Sequence, residues 1–368
     1  MTLYNWSHQL AYWLWRTRRL EQKPDCHIVA MPPNVMLLIA DQLALWEQYQ
    51  LSQTCFAIRS AVVDHFRQAA LYNQSVEDRI EYLSRRAYDL PGYWVCEKCI
   101  DLHTVSPLDC PTLPGTCWRP GAHYKSAHFQ LGCFRVSHRH LQLALKWTRM
   151  KDLRPEYKEN LKLLLKWGYF DIPPPLPGTA LGPRAPGTGY YWQQPRVIQG
   201  RFMVTTGQVF YPDKKGELGR DDLNTIPMCQ HQEWEPRVLR KIDQVRALPP
   251  GEMTPRESRL LQLSLWLEEC DLGKAMTELL RTRGAEFSVS CPSCATDITV
   301  SIHREGRPRM EFTCWHDFGP ESSPLDACWR AKHFPVRVDG LPVHRPMPPG
   351  GVRKLWESHA EYGIASKW

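Results

Sequence analysis

The sequence predicts an α+β protein, in which a short helical bundle near the N-terminus precedes a mixed and irregular C-terminal region. Apolar residues recur at helical spacing in short segments between residues 31 and 66. Two Cys-x-x-Cys pairs lie farther along, near short segments rich in β-branched and aromatic residues. The 31 prolines interrupt most longer segments, so long continuous helices are not expected.

The composition is that of a globular chain. Of 368 residues, 43% are hydrophobic and 23% charged, which permits a sizeable core. No run approaches the ~20 apolar residues of a bilayer span, so we expect no membrane insertion. The formal charge is +7, but the basic residues form short scattered clusters, such as residues 16–19. That scatter argues against a nucleic-acid binder, which concentrates positive charge on one face.

Residues 1–29 are aromatic and then basic, and they predict an amphipathic N-terminal helix. They lack the charged start and small-residue cleavage site of a secretory signal, although the absence of acids before Glu21 leaves a transit peptide open. The 13 cysteines are odd in number and not densely spaced. We therefore expect a reducing compartment, cytoplasmic or nuclear, where Cys-x-x-Cys pairs favour metal over disulfides.

A domain of short helices is predicted over residues 30–75, with helices at 31–45, 47–53 and 56–66. Prolines at the start of the first helix fit its first turn, where a missing N–H is tolerated. Its apolar residues lie nearly all round the helix. Three such short helices bury little by themselves, so the rest of the chain or another protein must cover them.

The second predicted region, residues 76–171, begins with a helix at 75–89 that Ser75 can cap and Pro91 can end. Residues 93–140 contain five cysteines and five histidines, which predicts short strands and loops around metal. Helices are expected at 138–150 and 155–167.

Residues 172–189, with six prolines and four glycines, predict a linker and a domain boundary. After it we predict an α+β region over 190–335 and a tail over 336–368. Further elements are predicted as strands at 196–211, 286–289, 298–303 and 309–314, and helices at 254–270, 272–282 and near 351–360.

The first cysteine set begins with V-C-E-K-C-I-D-L-H, in which Cys96 and Cys99 have the spacing of a zinc knuckle. The favoured ligand set is Cys96, Cys99, Cys110 and Cys117. His103 can replace either of the last two, and Cys133 and His123 lie within reach. Two other interpretations are reduced, buried cysteines without metal and a redox pair, although the flanks lack the βαβ context of a redox pair.

The second set contains Cys291 and Cys294, which need two more ligands to close a site. Either Cys229 with His231 or Cys314 with His316 would give a Cys₃His site. A β-hairpin turn without metal is the alternative. The two sets together predict a zinc-stapled C-terminal region with one or two structural zinc ions.

The sequence offers no catalytic motif. It has no G-x-S-x-G, Walker A, H-E-x-x-H or dinucleotide-binding pattern, and it lacks the deaminase signature. Residues 93–140 hold a single Cys-x-x-Cys, whereas a RING ligase needs several such pairs. A non-enzymatic protein is therefore predicted, although a catalytic zinc with an open position is compatible with the spacing.

Residues 31–56, M-P-P-N-V-M-L-L-I-A-D-Q-L-A-L-W-E-Q-Y-Q-L-S-Q-T-C-F, resemble an F-box. The chain is similar to fungal F-box-like proteins in which the box leads through a helix to an aromatic-C-x-x-C-x-x-L-H segment, here residues 93–103. The segments M-C-Q-H, C-P-S-C-A-T-D and C-W-H-D-F-G extend this resemblance. Because a Cys-x-His and the later Cys-x-x-Cys-x-Thr-Asp occur together in this group, the resemblance favours Cys229 and His231 as partners of Cys291 and Cys294.

The resemblance implies a substrate-receptor subunit of an SCF ubiquitin ligase, which binds a Skp1-like adaptor within a cullin complex and presents an unidentified protein substrate. The residues that it implies for Skp1 binding are Pro32, Val35, Leu38, Ile39, Leu43, Leu51 and Cys55. The alternative function is a zinc-stapled nucleic-acid-binding or other interaction module with a degenerate F-box.

Overall fold

The computed structural model describes residues 28, 30–55, 58–62, 74–106, 110–111, 128–131, 134–171, 189–211, 226–229, 231–234, 286–303, 308–332 and 347–359. The chain divides into two compact units, Met1–Tyr82 and Leu83–Trp368. Helices come first and antiparallel sheets follow, which confirms the predicted α+β class. Among the described residues, no helix is long and apolar enough to cross a membrane.

The first unit is built from short helices. These are α1 (Pro33–Asp41), α2 (Leu45–Thr54), a helical segment at residues 58–62 and the first part of α3 (Val76–Ala87). Pro33 stands at the start of α1, as expected for a residue without an N–H. The Glu47 carboxylate accepts a hydrogen bond from the Ala44 N–H at 2.9 Å and so fixes the start of α2.

The core of the first unit contains Met36, Ala40, Ile58 and Val62, which are almost fully buried. Leu51 and Cys55 pack against it and are partly buried. Met36 and Ala40 are four residues apart and therefore lie on one face of α1. The apolar residues on other faces of α1 are left less covered.

The second unit contains the remaining elements. In chain order they are β1 (Tyr93–Cys96), β2 (Asp101–Thr104), β3 (His128–Leu131), β4 (Phe134–Ser137), α4 (His138–Arg149), α5 (Pro155–Leu164), β5 (Gly168–Asp171), β6 (Gly189–Ile198), β7 (Arg201–Phe210), β8 (Ile226–Cys229), β9 (Gln232–Trp234), β10 (Glu286–Ser290), β11 (Thr296–His303), β12 (Arg309–Pro320), α6 (Ala327–Ala331) and α7 (Gly351–Glu357).

A six-stranded antiparallel sheet, in the order β10-β11-β12-β7-β6-β5, forms the centre of the second unit. β6 and β7 are joined by Gln199-Gly200, whose φ values of 49° and 70° suit a tight hairpin turn. Within the described ranges, three separate hairpins accompany the sheet: β1–β2, β3–β4 and β8–β9.

The predicted domain boundary at residues 172–189 is corrected by this sheet. β5 ends just before that segment and β6 begins at Gly189. The two strands nevertheless pair antiparallel, with Gly168 opposite Gln193 and Asp171 opposite Tyr190. The segment therefore connects neighbouring strands of one unit. A segment rich in proline and glycine is therefore, in this chain, a connection between two strands and not a boundary between two domains.

The main core of the second unit lies between α4 and the sheet. Leu141, Leu145 and Trp147 of α4 pack with Phe202 of β7 and Trp329 of α6, and all five are almost fully buried. The predicted helix near 351–360 is present as α7. The predicted helices at 254–270 and 272–282, and the N-terminal helix apart from residue 28, lie outside the described residues.

Candidate metal centres

Four side chains converge in the second unit, and we call them the Cys₃His group: Cys229, His231, Cys291 and Cys294. Their ligand atoms all lie within 4.8 Å of one another, and Cys229 Sγ is 4.0 Å from His231 Nδ1. In a tetrahedral site with Zn–S bonds of ~2.3 Å, neighbouring ligand atoms are about 3.8 Å apart. The group can therefore hold a metal ion after only small shifts.

Two hairpins position these ligands. Cys229 ends β8, and His231 lies two residues farther on, just before β9. Cys291 and Cys294 lie in the loop between β10 and β11, which two backbone hydrogen bonds of 2.8 Å close at Thr296. The Ser293 N–H donates to Cys291 Sγ at 3.4 Å. Such a donor favours the thiolate form of the sulfur, which is the form that binds metal.

The structure places Cys314 and His316 outside this group. Both lie on β12, where Cys314 pairs with Ile298 and His316 with Thr296 of β11. His316 is completely buried, and its Nδ1 is 3.3 Å from the Thr296 hydroxyl. Of the two ligand pairs that the sequence offers to Cys291 and Cys294, Cys229 and His231 are therefore the pair in position.

Burial and contact among the thiols shift the pKa values of Cys229 and Cys294 in opposite directions. Burial raises the pKa of the Cys229 thiol well above its usual value. Burial also acts to raise the pKa of Cys294, but hydrogen bonds from Cys229 and Cys291 and the charge of Lys332 outweigh it and lower that pKa well below normal. Adjacent buried thiols cannot all ionise without a cation, and a divalent ion at their centre would permit it.

A polar shell surrounds Cys294. The Lys332 ammonium lies 3.7 Å from Cys294 Sγ, and it also donates to the Ala295 carbonyl and the Thr296 hydroxyl, both at 2.6 Å. Thr296 Oγ1 is 3.2 Å from Cys294 Sγ. His316 Nε2 continues the shell to the Thr206 hydroxyl on β7, at 3.1 Å. The shell links the Cys₃His group to three neighbouring strands of the sheet, β11, β12 and β7.

Helix α6 places Lys332 in this shell. Asp326 caps the helix by accepting hydrogen bonds from the N–H groups of Cys328 and Trp329. Trp329 anchors the helix in the main core with only 1% of its surface exposed. Lys332 then stands at the C-terminal end of the helix, and Ala331 packs against the cysteines of the Cys₃His group.

A second set, the Cys₂His group, consists of Cys96, Cys99 and His103. All three are buried, and their ligand atoms lie within 4.8 Å of one another. Cys96 ends β1 and His103 lies on β2, so the hairpin and its turn bring the three together. The Trp94 ring stacks on His103 with centroids 4.8 Å apart, which fixes the plane of the imidazole.

Helix α4 holds this hairpin in place. The Gln142 side chain accepts a hydrogen bond from the Val95 N–H at 3.0 Å. Lys146 donates to the carbonyls of Leu90 and Tyr93, at 3.1 and 2.7 Å. Burial lowers the pKa of Lys146 to about 8. The polar side chains of α4 therefore satisfy the backbone of the segment that leads into the knuckle.

The favoured four-cysteine set at this knuckle differs from what the structure assembles. His103 occupies a ligand position, whereas Cys110 packs at the edge of the main core and is not among the three grouped ligands. Cys117, Cys133 and His123 lie outside the described residues. Among the described residues the Cys₂His group therefore offers three ligands.

The residues implied in Skp1 binding lie in and around α1 and α2. Leu38 is 65% exposed and Pro32 is also exposed, whereas Val35, Ile39 and Leu43 are half-buried. Leu51 and Cys55 contact the core of the first unit. The seven residues thus divide into an exposed or half-exposed set and two that support the core.

Sequence reasoning did not identify the polar shell of the Cys₃His group. Thr296 lies within the quoted C-P-S-C-A-T-D segment, so its proximity to the knuckle offered a local signal. Lys332 is 38 residues from Cys294 and has no motif around it. Only the folded position of α6 reveals the contact.

Comparison with protein-family models, with curated proteins and with solved structures finds no match for this chain. The resemblance to F-box-like proteins therefore depends on the sequence motifs alone.

Proposed function

We propose that this protein is a non-catalytic adaptor, the substrate-receptor subunit of an SCF ubiquitin ligase. In this proposal residues 30–75 bind a Skp1-like adaptor linked to a cullin, and the second unit holds a protein target. The cysteine chemistry suits a reducing compartment, cytoplasmic or nuclear.

The main support for the proposal is the exposure of Leu38. This leucine is 65% exposed on α1, two residues from Met36 and two from Ala40, which are 2% and 1% exposed and form the core. A leucine so placed leaves most of its surface in water within its own unit. Burial against a partner would remove it from water, and a fully buried leucine contributes ~1.5–3 kcal/mol.

We propose that the ions held by the Cys₃His and Cys₂His groups are Zn²⁺ with a structural role. Three thiolates and one imidazole form a donor set typical of closed structural zinc sites. Soft thiolate ligands also disfavour Mg²⁺ and Ca²⁺, which prefer oxygen. In this role the metal fixes the two knuckles and so shapes the surface that meets the target.

Binding of purified Skp1 to the full chain tests the adaptor proposal. Leu38→Glu is expected to weaken binding at least tenfold, because it places a charge in the apolar contact. Val76→Glu is the matched control, since Val76 is also an exposed apolar residue, 46% exposed, but belongs to α3. Equal binding by both variants, or no binding by the unmodified chain, would contradict the proposal.

Binding to DNA and to RNA, measured over a series of salt concentrations, distinguishes the alternative function from the adaptor proposal. A nucleic-acid-binding module would show affinity that falls steeply as salt rises. The adaptor proposal expects no such affinity at low salt.

A further inference from the structure

The Cys₃His group has an electrostatic requirement that its four ligands do not meet. Three thiolates and a neutral imidazole around a divalent ion leave one net negative charge. Cys291 and Cys294 have no exposed surface, and an uncompensated charge in such a place is costly. The group therefore needs a nearby cation.

We propose that Lys332 is the residue that neutralises this metal–thiolate centre and thereby sets its metal affinity. The inference rests on the zinc assignment proposed above. Lys332 is 1% exposed, and its three N–H donors have three acceptors at hand: Cys294 Sγ, the Ala295 carbonyl and the Thr296 hydroxyl. Its positive charge makes the loaded centre neutral overall.

The hydrogen bonds around Thr296 form a consistent set when Cys294 is a thiolate. Thr296 Oγ1 accepts from Lys332 and donates its one proton to Cys294 Sγ. His316 then donates from Nδ1 to Thr296, and its Nε2 accepts from the Thr206 hydroxyl. In this arrangement two donors, an ammonium and a hydroxyl, point at the same sulfur. Outer contacts of this kind orient ligands and tune a metal site.

The charge at residue 332 can be separated from its hydrogen bonds by two substitutions. Lys332→Gln keeps polar donors and removes the charge, whereas Lys332→Arg keeps the charge. Lys146→Gln is the matched control: Lys146 is also fully buried and bonded to two carbonyls, but it lies beside the Cys₂His hairpin. Cys291→Ser identifies which bound ion belongs to the Cys₃His group.

The experiment measures zinc retained by the full chain against a series of chelator concentrations, and the spectrum of the Co²⁺-loaded protein. Lys332→Gln is expected to lower zinc affinity at the centre that Cys291→Ser removes by about 10–100-fold. Its Co²⁺ spectrum should lose thiolate charge-transfer intensity at the Co²⁺ concentration that saturates the unmodified chain, because the weakened centre is then only partly occupied. Lys332→Arg should restore both readings, and Lys146→Gln should leave both unchanged for the centre that Cys291→Ser removes.

Three outcomes overturn the proposal: Lys332→Gln binds zinc as the unmodified chain does, Lys332→Arg loses as much affinity as Lys332→Gln, or Lys146→Gln shifts the same centre equally. If Lys332→Gln folds only at raised zinc concentration while Lys332→Arg folds normally, the charge is required and the proposal is supported. If Cys291→Ser releases no ion, the zinc assignment itself fails, which is distinguishable from a failure confined to Lys332.

Discussion

The Asp297 carboxylate on β11 accepts a hydrogen bond from the Arg353 N–H at 2.9 Å, and its other oxygen accepts from the Gly350 N–H at 3.0 Å. Asp297 therefore caps α7 from a strand 56 residues earlier in the chain. Below this cap, Val352 and Trp356 of α7 are buried against Trp315. One carboxylate thus fixes the C-terminal helix to the central sheet.

Asp297→Ala is expected to loosen the start of α7. Loss of a capping side chain costs ~1–2 kcal/mol, while the packing of Val352 and Trp356 remains. Hydrogen exchange at the amides of α7 should accelerate by about tenfold or more, while exchange in β7 stays unchanged. Asp297→Asn, which retains an acceptor oxygen, should show a smaller effect; unchanged exchange in the alanine variant would contradict the capping role.

Arg201 and Asp317 form the closest buried ion pair between β7 and β12 among the described residues. The Arg201 guanidinium makes contacts of 3.1, 3.0 and 2.7 Å to the carboxylate, which is 0% exposed. Arg201→Met is expected to reduce the free energy of unfolding by ~3–5 kcal/mol, because it leaves a buried charge without its partner. Chemical denaturation measures this loss.

An Asp317→Asn background provides the comparison for that pair. There Arg201→Met should cost much less, since no buried charge remains to be compensated. The same cost in both backgrounds would show that the arginine acts through packing instead.

The lowered pKa of Lys146 predicts that the protein becomes more stable at alkaline pH. Burial lowers its pKa from 10.5 to about 8, so between those values the unfolded chain holds a proton that the folded chain has released. Stability then increases with pH across this window, by up to about 3 kcal/mol for this group. Thermal unfolding of the unmodified chain and of Lys146→Met from pH 7 to pH 10.5 isolates the effect as the difference between them. A difference that falls or stays flat would contradict the assignment.

Gly207 of β7 is required by the ring on the neighbouring strand. It pairs with Trp192 of β6, and a Cβ at residue 207 would overlap the indole. Gly207→Ala is expected to destabilise the protein by ~1–3 kcal/mol through overpacking. In a Trp192→Ala background the same change should cost little. Equal losses in the two backgrounds would mean that the ring can move aside.

The sequence predicted elements whose signals are local. Helix α3 begins after Ser75, whose hydroxyl accepts a hydrogen bond from the Asp78 N–H at 3.0 Å, three residues farther along the chain. The β10–β11 hairpin likewise follows from two short β-rich runs around one Cys-x-x-Cys turn. Each signal and its consequence lie within a few residues.

Contacts between distant segments could not be predicted from the same information. β5 and β6 are separated in the sequence by a proline-rich segment, and no local pattern indicates that they pair or in which register. The place of His103 beside Cys96 and Cys99 depends on the register of the β1–β2 hairpin, in which Trp94 pairs with His103. The contact of Lys332 with Cys294 needs α6 to be docked first.

The zinc content of the purified full chain tests the central claim, that two cysteine–histidine groups hold structural metal in the second unit. We expect bound zinc, with one ion lost in Cys291→Ser, a different ion lost in Cys96→Ser, and a loss of folded stability in each case. Cys314→Ser is the control, because Cys314 is buried beside the Cys₃His group without belonging to it. A fully folded chain without metal, or ion loss in Cys314→Ser but not in Cys291→Ser, would show that these groups hold no structural metal.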